Sequence, residues 1–193
     1  AFVNVATELV TDGSFTNFVA ATPSFYTEYT QHQAYWNQLP PINWAIPSGL
    51  HPEGLYAVNT NAWTNYPNPP DGYHPNFHGR DHTNNTVGPR NFMMLNGSTT
   101  LIQDPPGSGN WRQRIIWQQT VTVTPNTDYY FSAWAMNLNP DNPAQLQFEV
   151  NGVLVGSVAD LGAPGVPAPT SEAQVDVSNW VRFYSTPFWN SGA

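Results

Sequence analysis

The chain has 193 residues, enough for one domain with a hydrophobic core of its own. Five Arg, no Lys and thirteen acidic residues give a net charge of -8, which argues against nucleic acid as a partner because phosphate binding needs a basic face. No long apolar run is present, so no membrane insertion is expected. The absence of Cys excludes disulfides and thiolate metal sites.

In the N-terminal half, short strands are separated by long irregular segments. A turn is expected at Asp12-Gly13. Residues 20–55 and 60–91 are rich in aromatic residues, Pro and polar residues, and loops of that length usually carry a function or order a ligand. The strands expected in this half lie at 8–10, 55–59 and 92–96.

The clearest pattern lies between residues 115 and 157. Gln145, Gln147 and Glu149 alternate with apolar residues, which puts one face of a strand in water and the other in the core. Asn151-Gly152 then predicts a type I′ hairpin turn. The sequence predicts one all-β domain over 1–193, an antiparallel β-sandwich of the jelly-roll type with long irregular loops. Its remaining strands are expected at 117–123, 129–138, 153–157 and 181–189, with a turn at 104–110 and a loop at 160–179.

Aromatic residues in the loops are candidates for glycan binding. The chain has eight Trp, nine Tyr and ten Phe, more than one core requires. Aromatic rings stack on the C–H face of a sugar, and amides and carboxylates bond its hydroxyls. The alternative is that the loop rings pack the loops onto the sandwich. Candidates for the glycan site are Trp63, Tyr66, Tyr73 and Trp111, whereas Trp117, Phe131, Trp134 and Phe148 lie on predicted strands and are expected in the core.

A histidine cluster is the candidate metal site. His74, His78 and His82 recur at intervals of four, and Asp81 precedes the last. Three imidazoles and a carboxylate suit zinc or copper if the loop brings them together. Calcium is the other candidate cofactor, held by Asp71, Asp81 or loop carbonyls. In the alternative interpretation, Asp81 and His82 form a hydrogen bond within the loop, and the other two histidines lie at the surface.

Segments 9–15 and 119–134 carry family motifs. They read LVTDGSF and QTVTVTPNTDYYFSAW. They resemble the opening L-V-x-N-G-D-F-E and the strand pair Q-T-V-x-V-x-P-N-T-x-Y-x-F-S-A-W of jelly-roll carbohydrate-binding modules and related galactose-binding-like domains. A subgroup occurs in large secreted bacterial surface proteins, including gliding-associated adhesins. Its shared motifs match the HP at 74–75, DHT at 81–83, FMM at 92–94, NG at 96–97, WVRF at 180–183 and WNSG at 189–192.

Two departures from the family pattern concern calcium and the last strand. The resemblance implies a structural calcium between the opening loop and an acidic pair on the final strand. Here 13–16 read GSFT in place of G-D-F-E, so both acids of that motif are replaced, and Asp12 is the remaining candidate ligand of the loop. We also expect the sandwich to lack its final C-terminal strand, because the family pattern continues past residue 193. Either the sequence is truncated there or another chain supplies the strand.

The resemblance implies a non-catalytic binding and adhesion module, located outside a bacterial cell or on its surface. Its expected partner is a glycan or another cell-surface polymer. One alternative is a structural subunit of a secreted filament or surface assembly, completed by a strand from a neighbouring chain. A second is a metal-dependent hydrolase. No enzyme is expected, because the sequence lacks a G-x-S-x-G elbow, a P-loop and a dinucleotide-binding motif.

Overall fold

The computed structural model is an all-β structure, which confirms the predicted class. It describes residues 8–19, 21–31, 53–60, 62, 77–82, 90–138, 141, 143–162, 169–171, 174–175, 177–185 and 189–192. No helix in this part of the chain is long and apolar enough to cross a membrane. A short 3-10 helix spans Val177–Asn179. The strands are β1 (Thr30–Gln31), β2 (Leu55–Asn59), β3 (Phe92–Leu95), β4 (Ile102–Gln103), β5 (Trp111–Arg112), β6 (Asp128–Tyr129), β7 (Ser132–Met136), β8 (Gln145–Val150), β9 (Val153–Asp160), β10 (Trp180–Tyr184) and β11 (Trp189–Asn190).

Strands β1, β2 and β3 form a sheet whose two faces are both covered. β2 pairs with β1 in parallel and with β3 antiparallel. Successive residues of a strand point to opposite faces, so Tyr56 and Ala57 enter different clusters. The first core cluster contains Ala57, Ala62, Phe77, Phe92, Met94 and Leu138, with Leu55, Met136 and Trp180 packed against it. The second contains Phe25, Tyr29 and Tyr56, with Phe15, Phe18, Val58, Met93, Leu95, Ile116 and Trp117 packed against it.

The antiparallel pair β7–β10 presents two different faces. Arg182 lies opposite Trp134 in the register, and Phe183 lies opposite Ala133. On the second of these faces, Phe183 stacks on Phe148 of β8, with 4.7 Å between ring centroids, so the β8–β9 hairpin covers it. The other face is called the Trp134 face below. Its residues are Ser132, Trp134, Met136, Trp180, Arg182 and Tyr184.

The β8–β9 hairpin confirms the sequence pattern. Exposed and half-buried residues alternate along β8, with the polar residues outside. Asn151 and Gly152 have φ values of 51° and 80°, as a type I′ turn requires. The ladder contains an irregularity between Leu146 and Phe148. The predicted strands at 55–59 and 92–96 and the turn at 104–110 are confirmed as well.

Two of the predicted strands are wrong. Residues 8–10 form no strand, although the turn expected at Asp12-Gly13 is present. Segment 117–123 alternates in exposure, but its backbone pairing is a single bridge between Gln118 and Tyr26. The Gln119 side chain occupies backbone groups that a ladder would pair, because it accepts from Thr11 N–H at 2.7 Å and donates to the Ser24 carbonyl at 2.7 Å.

Two other strand predictions hold with altered bounds. The strand expected at 129–138 is β6 and β7, interrupted at residues 130–131. The strand expected at 181–189 is β10 followed by β11, which pairs with β6. The expected core residues Trp117, Phe131 and Phe148 are half-buried. Trp134 is 45% exposed, so its expected core position is wrong. Its side chain lies on the face of the β7–β10 pair opposite to the one that the β8–β9 hairpin covers.

Candidate binding surface

The Trp134 face passes from the core to solvent along β10. At one end, Trp180 packs edge-on against Phe92 with ring centroids 5.8 Å apart. Its indole N–H donates to the Arg80 carbonyl at 3.0 Å, which satisfies the polar atom of a half-buried ring. Two and four residues further along the strand, Arg182 and Tyr184 are exposed. The exposed end of this face is therefore continuous with, and held by, the first core cluster.

Four flat side chains lie next to one another at the exposed end. The rings of Tyr130 and Tyr184 are 5.4 Å apart, with their planes inclined by 32°. The guanidinium carbon of Arg182 lies 5.3 Å from the Tyr184 ring centroid and 6.0 Å from that of Trp134. Tyr130, Trp134 and Tyr184 are all exposed. This set of Tyr130, Trp134, Arg182 and Tyr184 is called the aromatic platform.

His82 borders the platform on the Trp134 side. Its imidazole stacks on the Trp134 indole with 5.0 Å between centroids and 20° between planes. Its Nδ1 lies 3.2 Å from Oδ1 of Asp81, and the Asp81 carboxylate is buried. A buried carboxylate in hydrogen-bond contact fixes the orientation of an imidazole ring. The pair thus holds one ring of the surface in a defined position.

Close backbone packing places residues 77–82 at that border. Phe77 is buried in the first core cluster. The Gly79 carbonyl accepts from the Ala62 N–H at 2.9 Å. A Cβ at Gly79 would lie 2.5 Å from terminal carbons of Met136 and Leu138, so this backbone lies directly on the end of β7. This close contact between the backbone at Gly79 and the end of β7 places His82 beside Trp134.

Arg182 brings positive charge into the platform. One of its terminal nitrogens donates to the Ser132 hydroxyl at 3.1 Å. Within the described ranges, no carboxylate lies within ion-pair distance of it. Partial desolvation, and then the adjacent Tyr184 phenol, raise the pKa of Tyr130, so Tyr130 remains a neutral hydroxyl at physiological pH. The surface therefore combines aromatic faces, hydroxyl groups and one guanidinium.

A separate ionic cluster positions Trp111. Arg112 Nη2 donates to Glu28 Oε1 at 2.6 Å, and Arg112 Nε donates to Asp104 Oδ2 at 2.7 Å. Glu28 also accepts from the Ile115 N–H at 2.6 Å. These bonds hold the β4–β5 hairpin against the segment before β1. Trp111 is 59% exposed on this hairpin, and in the described part of the chain no ring stacks on it.

The candidate metal ligands that can be located do not form one group. Asp12 accepts a hydrogen bond from the Asn17 N–H at 2.9 Å within its own turn. Asp81 and His82 are hydrogen-bonded to each other, as the alternative interpretation of the histidine cluster predicts. His78, which that interpretation places at the surface, is half-buried. No set of three or more His, Asp or Glu side chains comes together among the residues described. Of the predicted site residues, Trp63, Tyr66, Asp71, Tyr73 and His74 lie outside those ranges.

Sequence reasoning missed the aromatic platform, although a signal was present. In YFSAWAM (130–136), Tyr130, Ser132 and Trp134 share one parity, and the small Ala133 and Ala135 share the other. Small residues such as Ala133 and Ala135 let another part of the fold pack closely on their face of the strand. A Ser among the alternate residues indicates that the opposite face is exposed to solvent. The prediction that Trp117 and Trp134 lie in the core, made because both are on predicted strands, takes no account of that alternation.

Comparison of the chain with protein-family models, with curated proteins and with solved structures found no match. The resemblance to jelly-roll carbohydrate-binding modules therefore stays a prediction from sequence motifs. The all-β class and the geometry of the exposed surface come from the structure itself.

Proposed function

We propose that this chain is a non-catalytic, extracellular glycan-binding module of a bacterial surface protein, and that the aromatic platform is its binding surface. The observation that carries the proposal is the adjacency of Tyr130, Tyr184 and Trp134 on one exposed sheet face. Exposed rings grouped in one place usually mark an interaction site. Sugar rings present flat C–H faces that stack on such side chains.

Polar groups at the edges of the platform supply the second requirement of sugar recognition. The Tyr130 and Ser132 hydroxyls, the Arg182 guanidinium and the His82 ring are hydrogen-bonding groups on or beside the ring faces. Strands and core packing hold these groups, so little conformational entropy is lost on binding. A stacked ring with hydrogen bonds around it is the arrangement that a pyranose needs.

Affinity electrophoresis in gels that contain a panel of polysaccharides tests the proposal. We expect at least one polysaccharide to retard the chain. Trp134→Ala should abolish most of the retardation, because it removes the apolar ring surface that a stacked sugar would bury, worth about 25 cal/mol per Å². Trp111→Ala is the matched control, since it removes an exposed Trp from another part of the surface. No retardation by any polysaccharide, or loss only with Trp111→Ala, would contradict the proposal.

A second candidate function is self-assembly through β9. Val153, Leu154 and Val158 are each more than half exposed on this strand, which within the described ranges pairs only with β8. Apolar edge strands are templates for strand addition, and a second copy of the chain is the proposed partner. Light scattering after size exclusion tests this: concentration-dependent dimers that Leu154→Lys dissociates would support it, and a strict monomer would reject it.

A further inference from the structure

We infer that the aromatic platform selects acidic glycans, with Arg182 binding the carboxylate of a uronic acid. The inference rests on the proposed glycan-binding function and adds the class of sugar. It concerns one chemical group, the planar carboxylate on the sugar ring, and one side chain that matches it in shape and charge.

Arg182 is held ready for such a group. Its guanidinium carbon lies 6.0 Å from the ring centroid of Trp134 and 5.3 Å from that of Tyr184. Of its five N–H donors, one is bonded to the Ser132 hydroxyl. The remaining donors can receive both oxygens of a carboxylate, and the flanking rings restrict the side chain before the ligand arrives.

The scarcity of positive charge makes this placement informative. The chain has five Arg and no Lys against thirteen acids. In a chain with so many acidic residues an Arg usually pairs with a carboxylate, and Arg112 does so with Glu28 and Asp104 at 2.6 and 2.7 Å. Arg182 instead lies among ring faces, and none of the described carboxylates pairs with it. The one guanidinium of the platform is therefore available to an external anion.

The position of Arg182 beside two ring faces favours a sugar acid over an isolated anion. A sugar ring stacked on Trp134 or on Tyr184 would bring its exocyclic group toward the guanidinium, which lies close to both rings. The net charge of -8 repels an anionic polymer at long range, but at physiological salt that repulsion is screened beyond about 8 Å. A direct contact with Arg182 acts within that distance.

Isothermal titration with matched ligands tests the inference. The probes are short oligosaccharides of galacturonate, guluronate and glucuronate, each beside its carboxyl-reduced neutral counterpart, and a sulfated oligosaccharide of similar length. We expect at least one uronate to bind about tenfold more tightly than its neutral counterpart, the scale of a charge-assisted hydrogen bond. Arg182→Gln should remove this preference, so that each uronate and its neutral counterpart bind equally.

Arg90→Gln is the matched control, because it removes the same charge from an exposed position outside the platform. It should keep the full preference. Arg182→Lys retains the charge without the planar fork, and we expect it to keep only part of the preference.

The outcomes separate this inference from the proposed function. Equal binding of uronates and neutral counterparts would overturn the acidic-glycan inference and leave glycan binding standing. Preference for the sulfated probe alone would overturn the assignment to a carboxylate. Binding of none of the probes, together with no retardation by any polysaccharide, would overturn both proposals.

Discussion

The His82 imidazole lies nearly parallel to the Trp134 indole, with 5.0 Å between ring centroids and 20° between planes. The same imidazole also contacts Trp180, at 5.8 Å and a steeper angle. Since Trp180 is half-buried and packs against the first core cluster, His82 connects that ring to the exposed Trp134. The orientation of Trp134 therefore depends on the Asp81–His82 pair as well as on β7.

Replacement of His82 should weaken glycan binding without unfolding the chain. In His82→Ala, Trp134 loses the ring that supports it, and we expect about threefold to tenfold weaker binding, the scale of an aromatic pair. His82→Phe restores a ring without a nitrogen for Asp81 and should recover most of the affinity. Titration with a glycan that binds the native chain measures both effects. Equal losses in the two variants would show that the hydrogen bond, rather than the stacking, matters.

Substitution of Gly79 should destabilise the fold. A methyl group there would lie 2.5 Å from carbons of Met136 and Leu138, so both side chains must move within a packed core. We expect Gly79→Ala to lower the free energy of unfolding by about 1–3 kcal/mol. Gly97→Ala is the control, because nothing lies within 4 Å of its Cβ position. Urea denaturation of both variants checks this, and equal stabilities would contradict the close approach.

The sequence was sufficient to predict the all-β class and the elements with strong local signals. The Gln145–Val150 strand has strict alternation, and Asn151-Gly152 has the residue types that a positive φ requires, so both follow from local rules. Segment 117–123 has the same alternation, but in the described part of the chain its backbone pairs only through the bridge between Gln118 and Tyr26. Strand pairing depends on residues that are distant in the sequence. Here these are Tyr26 and the backbone groups of Thr11 and Ser24 to which the Gln119 side chain is hydrogen-bonded, and no local pattern specifies them.

The candidate site was harder to predict than the fold. The platform joins residues 130–134 to residues 182–184, and their contact arises from the register of β7 with β10. The sequence names Asp81 and His82 as candidate metal ligands or as a hydrogen-bonded pair, and the pair is present, but the stacking of His82 on Trp134 requires the tertiary structure. Trp134 was misplaced because an aromatic residue on a strand suits either a core or an exposed binding face equally well.

Alanine substitutions of Phe131 and Trp134, which lie three residues apart, should differ sharply in their effect on the stability of the fold. Phe131 is half-buried with its ring 6.2 Å from Phe148, whereas Trp134 is 45% exposed. We expect Phe131→Ala to cost about 3 kcal/mol and Trp134→Ala about 1 kcal/mol or less. Thermal or urea denaturation compares them. A greater loss from the Trp substitution would mean that Trp134, rather than Phe131, packs in the interior.

Acid should weaken the attachment of the β4–β5 hairpin through Glu28. Hydrogen bonding to Arg112 holds the pKa of Glu28 below its ordinary value, against the opposing effect of burial. The unfolded chain keeps a pKa of about 4.3 for this group. The interaction therefore contributes in full above that pH, and its contribution is lost as the pH falls through the lower pKa of the folded state.

Glu28→Gln removes the charge and one of the two oxygens that accept from Arg112, while the remaining amide oxygen can still accept from Arg112 Nη1 and from the Ile115 N–H. We expect the variant to be less stable than the native chain by about 1–2 kcal/mol at pH 7. The difference should shrink as the pH falls below about 4.3 and through the lower pKa of Glu28 in the folded chain. The difference between the urea denaturation curves of the two proteins at each pH removes the effects that both share and reports on the Glu28 substitution. A difference that stays constant from pH 7 to pH 3 would mean that the Glu28 charge does not stabilise the hairpin.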